Sequence, residues 1–185
     1  MASLYLEDGR RYDNTAAIVE TLAPLGVTLS RWDLPDNVAT GKLLAAATLD
    51  EERKAALLAA VDPHFDELKQ NRPYTARDLV VLHESQPDFD ELTASFRRPH
   101  SHADDEVRYI LDGLGYFGLI DGRGRQLLLK VVPGEYINVP AGVEHWFELG
   151  AGKRVKAVRY FTEATGWQAE FTNRVPVVRP PVAGS

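Results

Sequence analysis

The sequence predicts a mainly β fold, a sandwich or barrel, with helices from the first half of the chain packed against its outside. Six short apolar runs, at 107–111, 116–120, 127–132, 136–139, 145–149 and 155–161, follow one another with glycine and proline between them. Strands that short, spaced about 8–12 residues apart, belong to sandwiches and barrels. Upstream of residue 99 the apolar side chains recur at helical intervals behind capping residues. With 185 residues and 44% hydrophobic content, the chain fits one domain with a proper core. The expected layout is a strand and helix elaboration over about 1–98, a barrel core over about 99–174 and an extended, proline-rich tail over 175–185.

In chain order, residues 4–6 can open as a short strand ended by Asp8-Gly9. Asn14 or Thr15 can cap a helix carrying Ile18, Val19 and Leu22 on one side and stopping near Gly26. Residues 27–34 alternate as a strand, with Pro35-Asp36-Asn37 as its turn. Thr48-Leu49-Asp50-Glu51 reads as a capping box, and Leu57, Leu58 and Val61 give the following helix its apolar face. Asp62-Pro63 predicts a restart as a second helix, since proline costs nothing in a first turn. Residues 79–82 read as a buried strand. Asp88 and Glu91 suggest a capped helix from about Phe89, ending before Pro99 because proline disfavours helical geometry in the residue preceding it. Asp121-Gly122 with Arg123-Gly124 is hairpin chemistry.

Composition narrows the partners. A net charge of −6 with pI near 5.4 gives no global field to draw phosphate backbones or anionic lipid, so neither nucleic acid nor membrane is expected. The absence of cysteine removes disulfides, thiolate zinc sites, iron–sulfur clusters and a cysteine nucleophile together. Residues 1–8 lack the apolar run of a secretory signal and no later segment could span a bilayer. A cytoplasmic monomer is the default expectation.

Chemistry concentrates in Pro99-His100-Ser101-His102-Ala103-Asp104-Asp105-Glu106 and in the distant His145. A helix would point His100 and His102 nearly oppositely, because each residue turns about 100°. In a strand they share a face roughly 6.6 Å apart. Both rings can then reach one ion at about 2.0–2.1 Å. Glu106 has the same parity but would sit roughly 13 Å beyond His102 in a straight strand, so the chain must bend through Ala103-Asp104-Asp105. His145 has to come from a neighbouring strand, aimed by Pro140-Ala141-Gly142. Three neutral imidazoles and one carboxylate leave a divalent ion with about one positive charge, a shell suited to iron(II), nickel, manganese, cobalt or zinc. Structural zinc is the weaker reading because such sites favour thiolates. A pair of exposed strand histidines is the plain alternative for His-x-His taken alone.

These residues resemble a known pattern. His100, His102 and Glu106, with Gly113 seven positions later, are similar to the first cupin motif. Gly134, Pro140, Gly142 and His145 are similar to the second, with Ala94 and Leu149 standing where the motifs carry glycine and asparagine. The resemblance implies a cupin double-stranded β-helix, a jelly-roll barrel. More narrowly, the stretches 102–109, 140–147 and 158–162, the last leading to Gly166-Trp167, resemble the acireductone dioxygenases of methionine salvage, and the likeness spans nearly the whole chain. That resemblance implies His100, His102, Glu106 and His145 as ligands of one Fe(2+) or Ni(2+) ion, with no organic cofactor. It implies O2-dependent cleavage of the aci-reductone 1,2-dihydroxy-3-keto-5-methylthiopentene. The iron form would give formate and 4-methylthio-2-oxobutanoate; the nickel form would give formate, CO and 3-methylthiopropionate. By position, Arg108 matches an arginine facing the substrate, and Phe96, Phe147 and Trp167 match its aromatic wall.

Arg108 lies two residues beyond Glu106 and so shares its strand face. Its charge would bring the site to about +2, matching an enediolate dianion. An ordinary ion pair with Asp104 or Asp105 is its alternative, and each aromatic could equally be core. Gly113 to Gly118 satisfies G-x-G-x-x-G, but strand and turn follow where a dinucleotide site needs a helix. His64 and His83 read as satisfied or solvated. Two other functions fit a cupin: a sugar-phosphate isomerase, which would need a basic phosphate cluster, and a non-catalytic small-molecule binder, which would leave no open metal positions.

Overall fold

The computed structural model describes residues 1–162 and 168–181. Its first part contains β1 (Ser3–Leu6), β2 (Arg11–Tyr12), α1 (Thr15–Leu22), β3 (Thr28–Arg31), α2 (Val38–Ala45), α3 (Glu51–Asn71), β4 (Ala76–His83) and α4 (Phe89–Phe96). The strands β5 (His100–Ser101), β6 (Glu106–Gly113), β7 (Gly115–Ile120), β8 (Gln126–Val131), β9 (Glu135–Val139), β10 (His145–Leu149), β11 (Arg154–Phe161) and β12 (Glu170–Phe171) follow. Among the described residues, one sheet runs β12-β5-β10-β7-β8-β1-β2 and the other β3-β9-β6-β11-β4. Their strand pairs are antiparallel, and the chain crosses repeatedly between the sheets, as in a jelly roll.

Alternation along each strand explains the layering. On β6, Ile110 joins the cluster between the sheets, with Phe117, Leu119, Leu129, Ile137, Val139 and Ala157. Its neighbours Val107, Tyr109 and Leu111 point outward onto Leu57, Val61, Phe65 and Leu68 of α3. On the opposite outer face, Tyr116, Ile120, Leu128 and Trp146 are covered in part by Val178 of the tail. Gln126 pins that tail, donating to the Val175 carbonyl at 2.9 Å and accepting from the Val177 N–H at 2.6 Å. Each large side chain so buried contributes roughly 1.5–3 kcal/mol. Burial on both faces is why the central strands read as continuous apolar runs. Helices α2 and α3 lie outside the sheets as expected, whereas α1 and α4 also turn Ile18, Leu22, Leu92 and Phe96 toward the inner cluster.

Several local expectations need correction. The cap of α3 is Asp50, which accepts from the Arg53 N–H at 2.8 Å, two residues after Thr48. Pro63 starts no new helix; α3 runs through it. Leu57, Val61, Phe65 and Leu68 form one buried stripe along the helix, enough to outweigh a proline cost of about 3 kcal/mol. The strand expected over 27–34 is only Thr28–Arg31, and Asn37 caps α2, which the sequence reading missed, instead of finishing a turn. His64 stacks on Trp32 with ring centroids 4.6 Å apart, and its Nε2 donates to the Asp33 carbonyl.

The glycines of the G-x-G-x-x-G stretch serve a corner. Gly113 has φ +77 where the chain leaves one sheet for the other, and a Cβ there would lie 2.1 Å from the Arg154 carbonyl oxygen. Gly113→Ala is expected to destabilise by more than about 2 kcal/mol, since strain in the left-handed region adds to a backbone clash. Urea unfolding should show a lowered midpoint with an unchanged slope.

Candidate metal centre

Strands β5 and β10 place His100 directly opposite His145. His102 follows β5, and Glu106 is the first residue of β6, so the bend expected through Ala103-Asp104-Asp105 separates them. Glu106 Oε2 lies 3.2 Å from Nε2 of His102 and 3.2 Å from Nε2 of His145. With His100, one donor atom from each of the four residues falls within 4.8 Å of the others. His102, Glu106 and His145 are buried and His100 is half-buried. Strand β12 flanks β5 on its other edge, where the Phe171 ring meets His100 at 5.8 Å. The Thr172 N–H donates to the Pro99 carbonyl, and Arg174 pairs with Glu144.

Backbone carbonyls set the rings. Nδ1 of His100 faces the Arg98 carbonyl at 2.8 Å, that of His102 the Asp104 carbonyl at 2.5 Å and that of His145 the Val143 carbonyl at 2.8 Å. A carbonyl only accepts, so every Nδ1 carries a proton and Nε2 is the nitrogen each ring has left to offer a metal. The Nε2 atoms of His102 and His145 hydrogen-bond to Glu106, and a divalent ion taking their place would displace those protons. The nitrogen and oxygen donors would suit such an ion.

Burial works against the charge on Glu106, yet Arg108 and the contacts with His102 and His145 hold its carboxyl well below the usual range. Nη2 of Arg108 lies 3.1 Å from Glu106 Oε1, and its Nη1 donates to the Val107 carbonyl. Burial pushes Arg108 down to about 10, against the pull of Glu106, so it stays cationic at neutral pH. The partner of Arg108 in this cluster is thus the ligand Glu106. A cavity of about 70 Å³ beside these residues is lined by Phe96, Glu106, Arg108, Phe117, Phe147 and Arg159, among others. Phe96 and Phe147, two of the residues assigned to the aromatic wall by resemblance, both line this cavity; the third, Trp167, lies outside the described residues. Sequence reasoning missed Arg159, which is paired in register with Arg108 and bonded to Asp78 at 2.7 Å. Its parity with Val155 and Ala157 was the available signal.

Asp105 ties down the bend. Its carboxylate accepts from the Ala141 N–H at 3.1 Å, the Tyr74 hydroxyl at 3.1 Å and the Asn138 amide at 3.2 Å. These bonds anchor the loop between two ligands to the end of β9 and to the segment before β4. Asp105→Ala should therefore weaken metal binding by about 10–100-fold, read by competition against a chelator.

Comparison with known proteins agrees with this geometry. The model of the ARD/ARD' family matches residues 16–169. An acireductone dioxygenase of Microcystis aeruginosa is 52% identical over 175 residues, covering 95% of each chain. One from Trichodesmium erythraeum is 42% identical, covering 94% of this chain and 96% of its own. The structure of acireductone dioxygenase from Bacillus anthracis, with a cadmium ion in its active center, superposes with a TM-score of 0.83 at 32% identity, covering 92% of this chain and 98% of that one. The chain belongs to the ARD/ARD' family, the acireductone dioxygenases.

Proposed function

We propose that His100, His102, Glu106 and His145 hold one Fe(2+) or Ni(2+) ion and that the chain uses O2 to cleave 1,2-dihydroxy-3-keto-5-methylthiopentene. The iron form gives formate and 4-methylthio-2-oxobutanoate; the nickel form gives formate, CO and 3-methylthiopropionate. The observation that carries this reading is the convergence of three imidazole rings on a carboxylate that also touches a buried arginine. When bound, the ion supplies a Lewis-acidic centre able to chelate two neighbouring enediol oxygens.

The protein's own residues supply the rest. Arg108 sets a fixed positive charge beside the position of the enediolate, in a site that excludes most water. The backbone carbonyls hold each ring in its ligating tautomer. Phe96, Phe117 and Phe147 bound an apolar space for the methylthio tail, sulfur against aromatic edges being mildly favourable. Trp167 is assigned to the same wall by resemblance alone. A sugar-phosphate isomerase would need a basic cluster for phosphate, and here Arg108 and Arg159 face the carboxylates Glu106 and Asp78. The reading takes residues 1–185 as a single cytoplasmic, monomeric unit.

Metal analysis coupled to product identification tests it. Protein loaded with Fe(2+) should consume O2 and release the keto acid, and protein loaded with Ni(2+) should release CO. No O2 uptake with either metal overturns the proposal.

A further inference from the structure

The cavity beside Glu106 and Arg108 encloses only about 70 Å³, against about 300–1,000 Å³ for common small-molecule pockets. It leaves room for a short tail such as methylthioethyl but little more. A second space of about 410 Å³ lies between α4 and the turn joining β10 to β11. The two share Phe96 and Phe147, whose half-buried rings form the partition.

Strand β10 points from one to the other. His145, Phe147 and Leu149 alternate onto the same face, so successive side chains lie roughly 7 Å apart. The first is in the metal cluster, the second in the partition and the third in the groove. Phe147 lies back against Gly115, where a Cβ would come within 2.2 Å of its ring, and packs on Phe117 at 5.0 Å. Any larger residue at 115 would force that ring to move.

We propose that an aci-reductone side chain longer than methylthioethyl leaves the cavity beside Glu106 and Arg108 between Phe96 and Phe147 and emerges in the groove between α4 and the β10–β11 turn. The chain then accepts aci-reductones whose tails are longer than methylthioethyl. This rests on the function proposed above. The rim carries Asp90, Arg97, Glu148 and Lys153, so a long tail meets apolar walls first and solvent at its end.

The test is a length series on the intact metal-loaded protein, with O2 uptake measured for aci-reductones bearing ethyl, methylthioethyl and octyl tails. The octyl compound should keep kcat/KM within about threefold of the methylthioethyl one, whereas a closed pocket would lose at least about tenfold. Ala151→Trp, at the rim, should lower the octyl to methylthioethyl ratio at least about tenfold. A tenfold loss for octyl in the unaltered protein, or an unchanged ratio in a folded Ala151→Trp variant, overturns the inference. Absence of turnover with the methylthioethyl compound itself would sink the underlying function instead. Should the variant not fold, the length series still decides.

Discussion

Arg108→Ala is expected to keep its metal while kcat/KM falls about 10²–10³-fold, the loss typical when one fixed charge or donor is removed from a reacting centre. The guanidinium is not a ligand, so the three nitrogens and the Glu106 carboxylate remain in place. What disappears is a positive charge 3.1 Å from Glu106 in a buried site, where it offsets the second negative charge of an enediolate. Arg108→Lys should recover part of the rate, since it restores charge without the planar fork. Metal content by atomic emission, a thermal melt and steady-state O2 uptake separate the outcomes. A purely structural arginine would lower the melting temperature and leave turnover unchanged below it.

Glu106→Gln is expected to do the reverse and empty the site. The amide has nearly the same shape as the carboxylate but carries no charge, so the ion keeps both its positive charges among neutral donors. Oε2 of Glu106 is also the point at which His102 and His145 meet, and an amide NH₂ placed there would face the ion with hydrogens. Metal retained after dialysis should fall from about one ion per chain to near zero, with activity lost in parallel. The variant should also melt earlier, because the lost carboxylate offsets the burial of Arg108. Full metal content in this variant would remove Glu106 from the ligand set.

Much of the centre could be read from residue order because its geometry is local. His100 and His102 share a face by strand parity, and Glu106 can join them only through a bend, which is where the chain turns. His145 was legible through Pro140-Ala141-Gly142, the turn ahead of the strand that carries it. What the sequence hid depends on contacts made across the sheets. Arg159 looks like any charged residue of a strand until β11 pairs with β6 and sets it against Arg108. Asp105 looks like one more acid in an acidic run until Tyr74, Asn138 and Ala141 converge on it. The helix through Pro63 was misread for a similar reason: proline's local preference is visible in sequence, while the stripe it yields to faces a sheet formed much later in the chain.

That His100 sits on a two-residue strand between β10 and β12 has a consequence for biosynthesis. At roughly 5–20 residues per second, the ribosome needs several seconds to add the 71 residues from His100 to Phe171. Until then β5 lacks one of its two neighbours, so the sheet edge that carries His100 is completed only late in synthesis.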